Sequence, residues 1–203
     1  MGRPPVALLS TDLIAGAAMD LVNTTGGFTI PELARRLKVS PSSLYNHVSG
    51  RDQIVELLRE LAMSEVVLPA DGAEEPWADT VAEIMRSYRR SYARYPRLIP
   101  LLTTHAVNSS HAFTMYNALA TTLSRAGFCD ADILRVITLM DCFVLGSALD
   151  LAAPVDPWES GAEVGPELAA ALATGGEKPD RADDAFEFGL AVVLRGLADL
   201  ASR

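Results

Sequence analysis

Apolar residues recur at three- and four-residue spacing along most of the chain, and no alternating apolar–polar run is long enough to suggest a strand. Leu13, Ile14, Ala17, Ala18, Leu21 and Val22 form the first such stripe, entered through Ser10-Thr11-Asp12 and stopped by Gly26-Gly27. Thr29-Ile30-Pro31-Glu32 reads as a capping box, with Pro in the first turn where its missing N–H costs nothing. The helix it opens carries Leu33, Ala34 and Leu37. After Lys38-Val39, Ser40-Pro41 starts a short helix to His47. Ser49-Gly50-Arg51-Asp52 then breaks the chain and caps a helix over 52–67, striped by Ile54, Leu57, Leu58, Leu61 and Val66.

Residues 69–76 are small, acidic and bounded by prolines, which predicts a surface connection near a domain boundary. Beyond it the spacing predicts helices at Trp77–Tyr95, Arg97–Val107, Ser109–Ala126, Asp130–Ala153 and Asp183–Ala201. Residues 154–181 are rich in Pro, Gly, Ala and acids, with one short helix at Pro166–Ala173. The predicted fold is all-α, with about nine helices. An N-terminal three-helix helix-turn-helix domain spans 1–52, and 52–67 is a connecting helix. Residues 68–203 form a C-terminal helical ligand-binding and dimerisation domain.

Ala and Leu dominate and aromatics are few, which suits helices. No apolar run is long enough to span a bilayer, and the first residues lack the pattern of a signal peptide, so the expectation is a cytoplasmic protein with no membrane partner. Cys129 and Cys142 have no metal-type spacing and read as two buried thiols in reduced surroundings. The net charge of −9 argues against nucleic acid only until its distribution is considered. Residues 1–60 carry six basic and six acidic side chains, whereas 61–203 carry eleven and twenty. Arg35, Arg36, Lys38 and Arg51 form a local basic spot without an acid between them, compatible with phosphate contact.

The segment Thr29 to Arg51, TIPELARRLKVSPSSLYNHVSGR, carries the clearest functional signal. Leu33, Ala34, Leu37, Val39, Leu44 and Val48 supply an inward face for two short helices packed at a steep angle. The second helix presents Ser42, Ser43, Tyr45, Asn46 and His47 outward, groups able to reach phosphates and base edges in a major groove. Its start at Ser40 adds unpaired backbone N–H groups. LARRLKVSPSSLYNHVSGRDQIVELL resembles the signature of the TetR family of repressors, over about residues 10–60. The resemblance implies that Tyr45 and His47 contact phosphates, that Ser42 and Ser43 face bases, and that Thr29 and Arg51 clamp the DNA backbone. It also implies an effector drawn from antibiotics, lipophilic toxins or metabolites. Arg51 stands where many members have Lys. The second helix has no Arg, Gln or Lys for bidentate base readout, so sequence preference rests on methyl contacts, water or DNA shape.

One helix-turn-helix makes too few phosphate contacts, so two copies are expected to bind palindromic double-stranded operator DNA as a homodimer. The helices at 130–153 and 183–201 are apolar around much of their circumference and are the expected dimer elements. Gly146, Ser147, Ala148, Gly189 and Gly196 allow close approach. Polar and aromatic residues embedded in apolar stretches mark a candidate small-molecule effector pocket. They are Tyr88, Tyr92, His105, Asn108, His111, Met115, Tyr116, Asn117, Met140, Asp141 and Phe143. Asp141 stands in the apolar run ITLMDCFVLG, where a lone carboxylate is costly unless paired. A ligand amine, Arg135, a partner chain or the surface would each satisfy it. His105 and His111 are six apart and do not share a helical face, so no metal is expected, and no cofactor is implied. No catalytic motif stands out. A helical protein-interaction adaptor and a ligand-independent DNA-binding regulator remain the alternatives.

Overall fold

The computed structural model describes residues 9–69, 75–154, 164–174 and 181–201; the rest of the opening arm, of the 69–76 connection and of the 154–181 stretch lies outside them. Ten α-helices and one 3-10 turn occur among these residues, against the nine or so expected, and no strand.

Local sequence sets the N-terminal elements. α1 (Thr11–Thr25) is capped by Ser10, whose hydroxyl accepts from the Leu13 N–H, and ends at Gly26 with φ +82°. α2 (Ile30–Leu37) carries the full capping box between Thr29 and Glu32. It ends at Lys38 with φ +57°, where the Lys38 N–H reaches back to Ala34 and Arg35 carbonyls. This left-handed turn is what lets α3 (Pro41–Tyr45) start three residues later, capped by Ser40. α3 ends two residues before the expected His47. α4 (Arg51–Met63) has Gly50 rather than a side chain at its cap position. The Ser49 N–H instead donates to the Gln53 side chain at 2.6 Å.

α4 stops at Met63 rather than 67. α5 (Trp77–Ala93) is followed by the 3-10 turn Pro96–Leu98 and a four-residue α6 (Ile99–Leu102), broken up by Pro96 and Pro100. α7 is Ser110–Arg125, α8 Asp130–Asp150, α9 Pro166–Thr174 and α10 Arg181–Ala201.

α4 is the pivot of the packing. It lies against α1 on one side and against α5, α6 and α7 on the other, while α5, α7 and α8 pack mutually. Ile14, Leu33, Leu44, Ile54 and Leu58 at one end and Ile84, Met115, Met140 and Val144 at the other belong to one continuous buried cluster. A movement in the C-terminal helices therefore meets α4 directly, with no solvent gap between them.

α10 is fixed by arginines from α5. Arg86 makes a two-pronged ion pair with Glu187, at 2.8 and 2.6 Å. The buried Arg89 lies over the Phe186 ring and bonds Asp183, the Ala182 carbonyl and Ser147.

Candidate DNA-reading and effector sites

Leu44 and Val48 bury one side of α3 and its C-terminal turn, which obliges the residues between them to face outward. Tyr45 is 55% exposed, and Ser42, Asn46 and His47 are exposed beside it. Ser43 is half-buried: its hydroxyl lies 2.8 Å from that of Ser40, and its N–H donates to the same cap. The α3 face thus offers one serine hydroxyl, Ser42, that is not engaged in capping among the described contacts. The Thr29 hydroxyl donates to Glu32 at 2.7 Å, which holds the start of α2. Glu32 is held below its ordinary range by that bond, with the Thr29 backbone bond adding to it.

The basic spot divides. Arg36 pairs with Asp20 at 2.6 Å, so it braces α2 against α1. The Arg51 guanidinium stands over the Phe28 ring and 3.4 Å from His105 Nε2, linking the reading head to the segment after α6.

The expected effector residues fall into three groups. Tyr88, Tyr92, Met115 and Met140 are buried, and Tyr116 and Asp141 are half-buried beside them. The Tyr116 hydroxyl donates to Asp141 at 2.9 Å, so of the partners foreseen for Asp141 neither Arg135, which pairs with Asp132, nor open solvent holds it. Burial pushes the Asp141 carboxyl above its ordinary range, opposed by bonds from Tyr116 and Tyr88 and by the charge of Arg59. Burial also raises all three phenols, Tyr88, Tyr92 and Tyr116, and Asp141 adds to each. The result is a closed polar core shared by α4, α5, α7 and α8, neutral at its hydroxyls and able to donate or accept.

His105, Asn108 and His111 form a second group, set against α4 instead of the tyrosines. Three α4 residues that the sequence did not single out organise it. Glu56 accepts from the Asn108 N–H at 2.8 Å. The buried Arg59 donates to the Leu102 and His105 carbonyls at 3.3 and 3.2 Å. Glu60 takes the Ser109 and Ser110 hydroxyls together with the His111 N–H and Nδ1, and so anchors the start of α7. Desolvation alone would raise the Glu60 carboxyl, but the bonds from Ser109, Ser110 and His111 win and hold it at about 2. The signal available in sequence was three charged residues at 56, 59 and 60 on the apolar α4. That pattern looks the same on a solvated face.

Phe143 is the third case. It stacks on Phe186 of α10, with ring centres 5.2 Å apart, and belongs to the α8–α10 contact rather than to the polar core. Asn117 lies on the exposed face of α7, also apart from that core. No group of three or more His, Cys, Asp or Glu among the described residues is arranged to hold a metal.

Residues 68–201 match the family described as tetracyclin repressor-like, C-terminal domain. The chain belongs to the TetR family of transcriptional regulators. It is 30% identical over 201 residues to the tetracycline repressor protein class A from transposon 1721 of Escherichia coli, covering 94% of this chain and 91% of that protein. It is also 30% identical over 142 residues to an HTH-type transcriptional regulator of Saccharopolyspora erythraea, covering 69% of this chain but only 60% of that protein's length. Among solved structures, it is similar to the Streptomyces coelicolor TetR family protein ActR in complex with (S)-DNPA. The TM-score is 0.76 at 24% identity, over 96% of this chain and all of that one. The match establishes for this TetR-family chain the fold built above from its residues.

Proposed function

We propose that this TetR-family chain is a ligand-responsive transcriptional repressor that binds palindromic operator DNA as a homodimer in the cytoplasm and leaves it when a small molecule enters the C-terminal helices. Residues 1–52 read the DNA, 52–67 relay, and 68–203 hold the effector and the dimer contacts. The observation that carries the reading is Tyr45, a large aromatic held 55% exposed on a helix whose other face is locked by the fully buried Leu44. On DNA, Tyr45 and His47 meet phosphates, and Ser42 and Asn46 approach base edges. Arg51 exchanges its contact with His105 for a phosphate. Outward apolar residues on α8 and α10, Leu134 and Leu139 with Phe188 and Val192, support dimerisation through these two helices.

Tyr88, Tyr92, Met115, Tyr116, Met140 and Asp141 form the effector site. A ligand there must displace packed side chains, and Arg59 and Glu60 transmit the displacement along α4 to the reading head. Release requires the ligand to bind the DNA-incompetent state more tightly. His105, Asn108 and His111 act in this relay.

Selection of bound duplexes from a random pool tests the reading. Enrichment of a palindrome, affinity that falls steeply with salt, and at least tenfold weaker binding by Tyr45→Ala are expected. Undiminished binding by that variant, or affinity indifferent to salt, refutes it; the latter favours a protein-binding adaptor.

A further inference from the structure

We propose that the cleft between the start of α5 and the exposed face of α7 is a second small-molecule site, for a flat amphipathic molecule with one anionic oxygen group. The cleft has a volume of about 630 Å3, within the ~300–1,000 Å3 of small-molecule sites. It shares no lining residue with the Tyr88–Asp141 core, and the proposal stands independently of that effector reading.

Two helical stripes build it. On α7, Thr114, Asn117, Thr121 and Arg125 recur at three- and four-residue spacing and are all exposed. On α5, Trp77, Thr80 and Ile84 recur the same way and face them. Ile84 is fully buried and forms the floor. Trp77 is steadied by an edge-on contact with Phe128, ring centres 5.5 Å apart, so its indole is a fixed apolar wall. Leu68 extends that wall.

The polar chemistry is lopsided. Thr114 and Thr122 satisfy their hydroxyl hydrogens on their own helix, at the Ser110 and Ala118 carbonyls. No side-chain bond of Asn117, Thr121 or Arg125 occurs among the described residues, which leaves an amide, a hydroxyl and a guanidinium free to donate. Glu75 is the one carboxylate on the rim among the described residues. Donors on one wall and an indole on the other fit a planar apolar body with an oxygen-rich end at Arg125. Glu75 disfavours a second anionic group on its side of the cleft.

The test uses 8-anilinonaphthalene-1-sulfonate with the full chain, excited directly so that its own emission reads binding in every variant whatever its indole content. Saturation at one probe per chain is expected. Arg125→Gln should raise Kd at least fivefold, Thr121→Trp should abolish binding by filling the cleft, and Glu75→Gln should tighten it. The uncharged N-phenyl-1-naphthylamine should be lost in Thr121→Trp yet indifferent to Arg125→Gln. Tyr88→Phe and Asp141→Asn should leave both titrations unchanged, and operator binding should survive all the cleft variants. Parental titrations in Arg125→Gln and Thr121→Trp overturn the proposal. So does loss of the signal in Tyr88→Phe or Asp141→Asn, because the probe then lies in the core.

Discussion

Replacing Glu60 by Gln removes the negative charge that gathers four donors from the start of α7 onto α4. The fall of its carboxyl from 4.5 to about 2 corresponds to ~3.4 kcal/mol, at about 1.36 kcal/mol per pH unit. The side chain is 29% exposed, and solvent screening there cuts the net contribution to about 1.5–2 kcal/mol. The sign follows from linkage. A carboxyl depressed in the folded state stabilises above its unfolded value of about 4.5, and this stability is lost as pH falls towards about 2.

Urea unfolding of the parent and of Glu60→Gln at a series of pH values measures this. At pH 7 the variant should be less stable by about 1.5–2 kcal/mol. The difference should shrink between pH 4.5 and 2, where the parent loses what the variant never had. Equal stability at pH 7, or a gap that persists at pH 2, would show that Glu60 does not hold α7 by its charge. The same variant bears on function. With the joint loosened, operator affinity should respond less to any effector, while Tyr45 and its neighbours stay in place.

Three further outcomes follow from particular contacts. Lys38 holds a left-handed backbone at φ +57°, so Lys38→Gly should relieve ~1 kcal/mol of strain and, after the added chain entropy, raise the unfolding free energy by roughly 0.5 kcal/mol; a loss of stability in denaturant refutes it. A Cβ on Gly189 would come 2.7 Å from the Phe143 ring, so Gly189→Ala should displace the Phe143–Phe186 stack, destabilise the chain by about 1–3 kcal/mol and weaken self-association in sedimentation; a parental sedimentation profile counts against α8–α10 as the dimer surface. Asp141 has a raised folded value, so the fold is destabilised as pH rises from the ordinary carboxyl value through the raised one. Asp141→Asn should therefore melt higher than the parent at neutral pH and lose that dependence; an unchanged Tm refutes it.

The head of the molecule was legible because its instructions are local. A Thr and a Glu three residues apart, a Pro in the first turn and a buried Leu44 between polar neighbours specify α2 and α3 without reference to the rest of the chain. Asp141 was legible for a related reason: a carboxylate inside a long apolar stripe needs a partner, and Tyr116 supplies it. The histidines show where such reading stops. His105 and His111 stand among mixed polar and apolar neighbours in the sequence, as Tyr88 and Tyr116 do, and sequence cannot say which faces α4 and which faces the core. Phe143, stacked on Phe186 apart from the tyrosines, shows the same limit, since one helical turn separates side chains that face different helices. Glu56, Arg59 and Glu60 acquire meaning only when the chain from Leu102 to His111 is brought beside them, contacts some 43 to 52 residues away in sequence.

Arg59 connects the two polar systems. Its guanidinium bonds the carbonyls of Leu102 and His105, and its charge opposes the rise of Tyr92 and Asp141. Glu60, the next residue, holds α7. A molecule that rearranges the tyrosine core therefore perturbs Arg59 first, and the loop and α7 contacts of α4 with it. The energies involved are sufficient. Tenfold in operator affinity needs about 1.4 kcal/mol, and a joint worth about 2 kcal/mol sets an upper bound of roughly thirtyfold on what it can pass to operator affinity. The proposed relay needs no long chain of residues, because one helix carries the core contact, the joint to α7 and, at Arg51, the contact with Phe28.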